Sequence, residues 1–78
     1  MKCYGYSKKD SETLLEMTEI TFQADPTKLR KIADFLYECA KNIENDSEWE
    51  HCHLQDSKYY DQVSKEIFFD LIVYNEAR

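Results

Sequence analysis

Seventy-eight residues are enough for one small domain, and a chain of this length buries only about 60–65% of the surface that it exposes when unfolded. The formal net charge of -6 disfavours binding to nucleic-acid phosphates, and no apolar run is long enough to span a bilayer or to form the core of a signal peptide. Cys3, Cys39 and Cys52 are odd in number and far apart, which is typical of neither a disulfide framework nor a zinc site. We therefore expect a cytoplasmic protein without a cofactor.

The N-terminal part of the chain predicts an arm followed by a strand. Residues 1–7 carry tyrosines around the only glycine and predict a short edge strand or an arm. Residues 14–24 alternate in polarity around Ile20 and Phe22, as a half-buried strand does. Leu15 and Met17 are in the opposite phase, which indicates either a bulge or a strand start that is apolar on its other face.

One amphipathic helix is predicted over residues 26–44. Asp25 is a suitable N-cap, and Pro26 fits the first helical position, where its missing N–H costs nothing. Apolar side chains recur on one face, at Leu29, Ile32, Ala33, Leu36, Ala40 and Ile43, with Phe35 and Cys39 widening the stripe. Such a stripe must be buried against another element.

Two further strands are predicted after the helix. Residues 48–55 alternate in polarity, and residues 66–74 form the most apolar run of the chain, which is typical of a central strand covered on both faces. Together these elements predict a single α+β domain over residues 1–78. Its amphipathic helix packs on one face of a small, mostly antiparallel sheet of three or four strands.

A single helix covers only one face of such a sheet. Alternation assigns eight residues to the helix side: Ile20, Phe22, Cys52, Leu54, Ile67, Phe69, Leu71 and Val73. It assigns eight to the opposite side: Leu15, Met17, Trp49, His51, His53, Phe68, Ile72 and Tyr74. The second set is too apolar to remain in water without a reason. Its cover is the N-terminal arm with the loop at 56–65, a second copy of the chain, or another protein.

An acidic turn borders this second face and suggests a protein-binding surface, with Trp49 as its buried anchor. The residues predicted to bind a partner are Glu44, Asp46, Glu48, Trp49, Glu50, His51, His53, Asp56, Phe68 and Tyr74.

Catalytic interpretations are weaker. His51 and His53 share a side of a strand, but no third metal ligand is fixed by a recognisable spacing. Cys52 points away from both histidines, so neither can activate it as a nucleophile. The acidic side chains lie on a turn with no pocket implied. We therefore expect a non-enzyme with no metal.

The order of segments resembles the immunity protein 32 family of bacterial polymorphic toxin systems. The segments that carry the resemblance are CYGYS, LLEMTEITFQADP, LRKIADFLYECA, EHCHLQD and DLIVYN. The resemblance implies a cytoplasmic inhibitor that neutralises a cognate toxin, and the acidic surface would suit a basic toxin such as a nuclease. It assigns no residue a role. The alternative is a homodimeric structural or regulatory module with no toxin partner.

Overall fold

The computed structural model describes all 78 residues and contains one helix and four short strands. In chain order the elements are β1 (Tyr4–Gly5), β2 (Leu15–Glu16), α1 (Pro26–Asn45), β3 (His51–His53), a single 3-10 turn (Leu54–Asp56) and β4 (Ile72–Tyr74). The strands pair as two antiparallel ladders, β1 with β2 and β3 with β4. The α+β class is therefore confirmed, although neither sheet has the three or four strands that the sequence predicts.

The helix begins and ends where its local sequence dictates. The Asp25 carboxylate accepts a hydrogen bond from the Lys28 backbone N–H at 2.9 Å, and Pro26 occupies the first turn. The Lys28 Nζ atom lies 2.7 Å from the same carboxylate. At the other end the Asp46 N–H donates to the Asn42 carbonyl and closes the last turn.

The hydrogen-bonded strands are much shorter than the three predicted over residues 14–24, 48–55 and 66–74. The reason on the C-terminal side is the 3-10 turn. From Leu54 onward β3 leaves the ladder, so residues before Ile72 have no partner strand there. A last bond from the Leu54 N–H to the Leu71 carbonyl, at 2.7 Å, marks the point of separation.

The two longest predicted strands still lie side by side near the start of α1. Residues 21–24 and 66–69 line one cavity of about 180 Å³ together with Lys28 and Ile32 of the helix. The rings of Phe22 and Phe69 stack across it with centroids 6.0 Å apart. Side-chain packing alone joins these segments, since no ladder bonds connect them.

The core is small and centres on the middle of α1. Its buried apolar residues are Ile32, Phe35, Cys39, Leu54 and Ile67. Partly buried residues pack around them: Trp49, Cys52, Tyr59, Tyr60, Leu71 and Val73. The structure thus places five of the eight predicted helix-side residues against α1. The other three, Ile20, Phe22 and Phe69, are 39–52% exposed, because the extended segments that carry them lie outside the ladders.

Trp49 requires a correction. The sequence places it on the face opposite the helix, but it is half-buried against the core beside α1. Alternation does not apply here, because Trp49 precedes β3 and belongs to a turn closed by its own N–H bond to the Asp46 carbonyl.

The helical stripe is also only partly buried. The prediction that the whole stripe packs on the sheet is wrong for Leu29, Ala33, Leu36 and Ala40, which remain exposed. The core contacts one edge of the wide stripe, along Ile32, Phe35 and Cys39, and leaves the other edge in water.

Because Leu54 is completely buried, we expect Leu54→Ala to lower the free energy of unfolding by about 2–5 kcal/mol through lost contacts and a residual cavity. The matched change Val63→Ala, at a side chain that is 94% exposed, should stay within about 0.5 kcal/mol of the parent. Urea denaturation of the three proteins measures both values. Equal losses would mean that Leu54 is not a core residue.

Candidate protein-binding surface

The β3–β4 ladder positions a row of exposed side chains on the side away from α1. His51 lies opposite Tyr74, and His53 lies opposite Ile72. The His51 and Tyr74 rings stack with centroids 5.7 Å apart, and the His53 ring meets His51 edge-on at 5.4 Å. We call these four residues the open face. Ile72 and Tyr74 are each more than half exposed.

A carboxylate fixes one end of the open face. The Asp70 Oδ2 atom lies 2.5 Å from His53 Nδ1, and its Oδ1 atom accepts the Gln55 N–H at 3.1 Å. The hydrogen bond to Asp70 raises the pKa of His53 above its ordinary value, because it favours the protonated ring. The open face therefore carries a histidine whose charge persists to higher pH than usual.

The predicted acidic residues border the open face but have different local roles. The Asp46 carboxylate accepts the Glu48 N–H at 2.9 Å and so shapes the turn. Glu48 forms an ion pair with Arg78 at 2.7 Å, and Glu50 contacts His51 Nδ1 at 3.0 Å. These carboxylates are partly engaged within the chain, yet all remain exposed.

The remaining predicted site residues lie further from the centre of this surface. Glu44 is in the last turn of α1 and Asp56 is in the 3-10 turn; both are exposed and form no ion pair within the chain. Phe68 lies in the segment before β4 and is 82% exposed. Trp49 contributes mainly to the core.

Sequence reasoning missed two residues that organise this surface. Asn75, buried to 4% exposure, donates its side-chain N–H to the Trp49 carbonyl and its backbone N–H to the Glu50 carbonyl. Asp70 holds His53. A signal for Asp70 was present, because it is the one charged residue inside an apolar run and alternation places it on the histidine side.

Cys39 and Cys52 lie in or against the core and act as structural side chains. Burial raises the pKa of Cys39 to about 11 and also raises the pKa of Cys52. No group of three or more His, Cys, Asp or Glu side chains is arranged to hold a metal ion. The helix α1 lacks the length of apolar sequence that crossing a bilayer requires.

The fold and its exposed surfaces define a small α+β protein built on one helix. A family model described as Immunity protein 32 matches residues 19–75, a range that includes α1, β3 and β4. This chain belongs to the immunity protein 32 family, as the order of its segments indicated. No curated protein and no solved structure matches it.

We expect the pKa of His53, followed by NMR, to lie above the ordinary value near 6.5 and to return toward it in Asp70→Asn. Glu50→Gln, which alters the His51 contact instead, is the matched control and should leave the His53 titration in place. An unchanged His53 titration in Asp70→Asn would contradict the assignment.

The raised pKa of His53 also has a consequence for stability. A group with a higher pKa in the folded state stabilises the fold below its unfolded pKa, near 6.5. This contribution disappears as pH rises through the folded pKa. The stability difference between the parent and Asp70→Asn should therefore be larger at acidic than at alkaline pH, as denaturation at both conditions would show.

For Cys39, a pKa of about 11 leaves roughly one thiol in a thousand ionised at pH 8. We expect it to react with a thiol reagent only as fast as the protein opens, whereas in urea all three cysteines should react together. Peptide mapping identifies the labelled sites. Rapid labelling of Cys39 in the folded protein would rule out its burial.

Proposed function

We propose that this chain is a stoichiometric inhibitor that binds and neutralises a cognate bacterial toxin through the open face and its acidic border. Membership of an immunity protein family supports a toxin partner in general. The observation that supports this location is the exposed stacking of Tyr74 on His51 beside Ile72, with carboxylates at its edge.

The open face has the composition of an interface centre. Tyr74 on the open face is exposed at 56%, and Phe68, which lies outside that face in the segment before β4, is exposed at 82%; both are rigid aromatic side chains. Aromatic residues of this kind dominate binding energy once a partner excludes water from them. We therefore place the anchors at Tyr74 and Phe68 and not at Trp49, whose burial in the core leaves it less able to enter a pocket of the partner.

The charge of the chain favours a basic partner surface. The net charge is -6, and Glu44, Glu48, Glu50 and Asp56 are all exposed around the proposed surface. Opposite charges on a partner would accelerate encounter and set the orientation of docking. A nuclease, whose substrate-binding surface is basic, is a toxin class that fits this chemistry.

The first test is co-purification of the chain with the product of the neighbouring gene. We expect a complex of equal stoichiometry and loss of toxin activity at an equimolar ratio. Tyr74→Ala and Phe68→Ala should each weaken binding at least about 10-fold, because truncating an aromatic anchor removes a large share of the contact energy. Val63→Ala, also at a highly exposed apolar residue, is the control and should bind normally.

Two outcomes would overturn the proposal. Absence of any complex with the neighbouring product would remove the inhibitor function and favour the module without a toxin partner. Normal toxin binding by both aromatic variants would show that the interface lies elsewhere than the open face.

The contribution of the acidic border to the association rate can be measured separately. If the carboxylates guide the encounter, the association rate should fall steeply as salt is raised, while the dissociation rate changes little. Stopped-flow kinetics at several salt concentrations separates the two rates. An association rate that ignores salt would exclude steering by the acidic border.

A further inference from the structure

The helix α1 exposes an apolar row that the fold does not use. The row consists of Leu29, Ala33, Leu36, Ala40 and the half-buried Ile43, and we call it the helix seam. Its members follow one another in alternating steps of four and three residues, which is the spacing that two packed helices require along their contact line. Leu29 and Leu36 are each 42% exposed.

The helix seam runs beside the core face of α1 and is separate from it. Ile32, Phe35 and Cys39 are buried within the chain, whereas the seam lies on the adjoining side of the same helix. Alanines alternate with the larger side chains of the seam, so another helix could approach closely at Ala33 and Ala40. The geometry suits a helix as the occupant.

We propose that the helix seam packs antiparallel against the helix seam of a second copy of this chain. The two-fold axis of this homodimer passes near Leu36 and Tyr37, the middle of α1. Leu29 of each copy then lies near Ile43 of the other, and Leu36 meets its own counterpart. The interface is isologous, as most homodimer interfaces are.

The charges along the seam select this orientation. Arg30 and Glu44 lie on the same flank of the seam as Tyr37, at equal distances along the chain on either side of it. In an antiparallel pair Arg30 faces Glu44 of the second copy. In a parallel pair the same flanks lie on opposite sides of the interface, and residues 30 and 44 are about 21 Å apart along the helix axis, so Arg30 could not pair with Glu44 of the second copy. Antiparallel packing also aligns the helix dipoles favourably.

These charged residues are free to pair between copies. The ion pairs within the chain involve other side chains, and none includes Arg30 or Glu44. The charges on this flank of the seam are thus complementary to those of a second copy, and no ion pair within the chain neutralises them. A partner of unrelated sequence would need to reproduce this pattern, whereas a second copy supplies it automatically.

The exposed area of the chain is consistent with a missing partner. The single chain exposes 6619 Å², whereas a compact monomer of 9.4 kDa exposes only about 5,000 Å². A standard interface removes about 800 Å² from each partner. The excess is therefore large enough for the dimer contact and for a second contact on the open face, which lies on the side of β3–β4 away from α1.

Sedimentation equilibrium of the purified full chain tests the proposal. We expect the parent to have about twice the 9.4 kDa mass of the chain, and Leu36→Glu to have the monomer mass with its helix content retained in circular dichroism. The matched control Ile72→Glu places the same charge on a side chain of the open face that is 51% exposed, against 42% for Leu36, and should remain dimeric.

A charge exchange tests the orientation without altering the apolar row. Arg30→Glu and Glu44→Arg should each weaken dimerisation by about 10-fold, because each creates two like-charge contacts per dimer. The double variant restores opposite pairing and should recover most of the parent affinity. Recovery would not occur in a parallel dimer, where positions 30 and 44 of the two copies lie about 21 Å apart along the helix axis and cannot pair.

Several results would overturn the proposal. A parent that stays monomeric at about 100 µM has no dimer of useful affinity. A dimer that survives Leu36→Glu but dissociates in Ile72→Glu uses the open face instead. If the parent is monomeric and its Leu36→Glu variant no longer binds the toxin, the helix seam is a toxin-binding surface and not a dimer interface. The first two results leave toxin inhibition intact, so they are distinguishable from failure of the proposed function.

Discussion

The fold depends on the contact between one edge of α1 and the chain segments around β3 and β4. Phe35 and Leu54 are the only large side chains that are completely buried, and few other apolar residues join them. A chain of this size gains little from burial and must offset the entropy of ordering every residue. Whatever positions Phe35 against Leu54 therefore positions the rest of the molecule, including both exposed surfaces.

Hydrogen bonds of polar side chains connect segments that this small core does not hold together. Asn75 ties the end of β4 to the turn before β3, and Asp70 joins His53 to the start of the 3-10 turn at Gln55. These bonds cross between segments that are distant in sequence. They hold the open face in one arrangement without additional apolar packing, and they explain how a two-stranded ladder can present an ordered row of rings.

The two exposed apolar surfaces have a common origin. The stripe of α1 is wider than the surface available to cover it, and the β3–β4 ladder has a helix on one side only. Burial of either surface in a complex would add to the stability of the folded state, since a partner that binds only the folded chain shifts the folding equilibrium. A partner that covered either surface would therefore add to the stability of the folded chain.

The sequence by itself determined the features that depend on near neighbours. Asp25 and Pro26 start the helix, its apolar residues recur at the helical period, and the order of segments identified the family. The tertiary structure alone decided which edge of the stripe is buried, where the strands stop pairing, and that Trp49 belongs to the core. Alternation assigns sides only within a ladder, and the ladder ends where Leu54 turns away, a consequence of packing against α1 that no local pattern encodes.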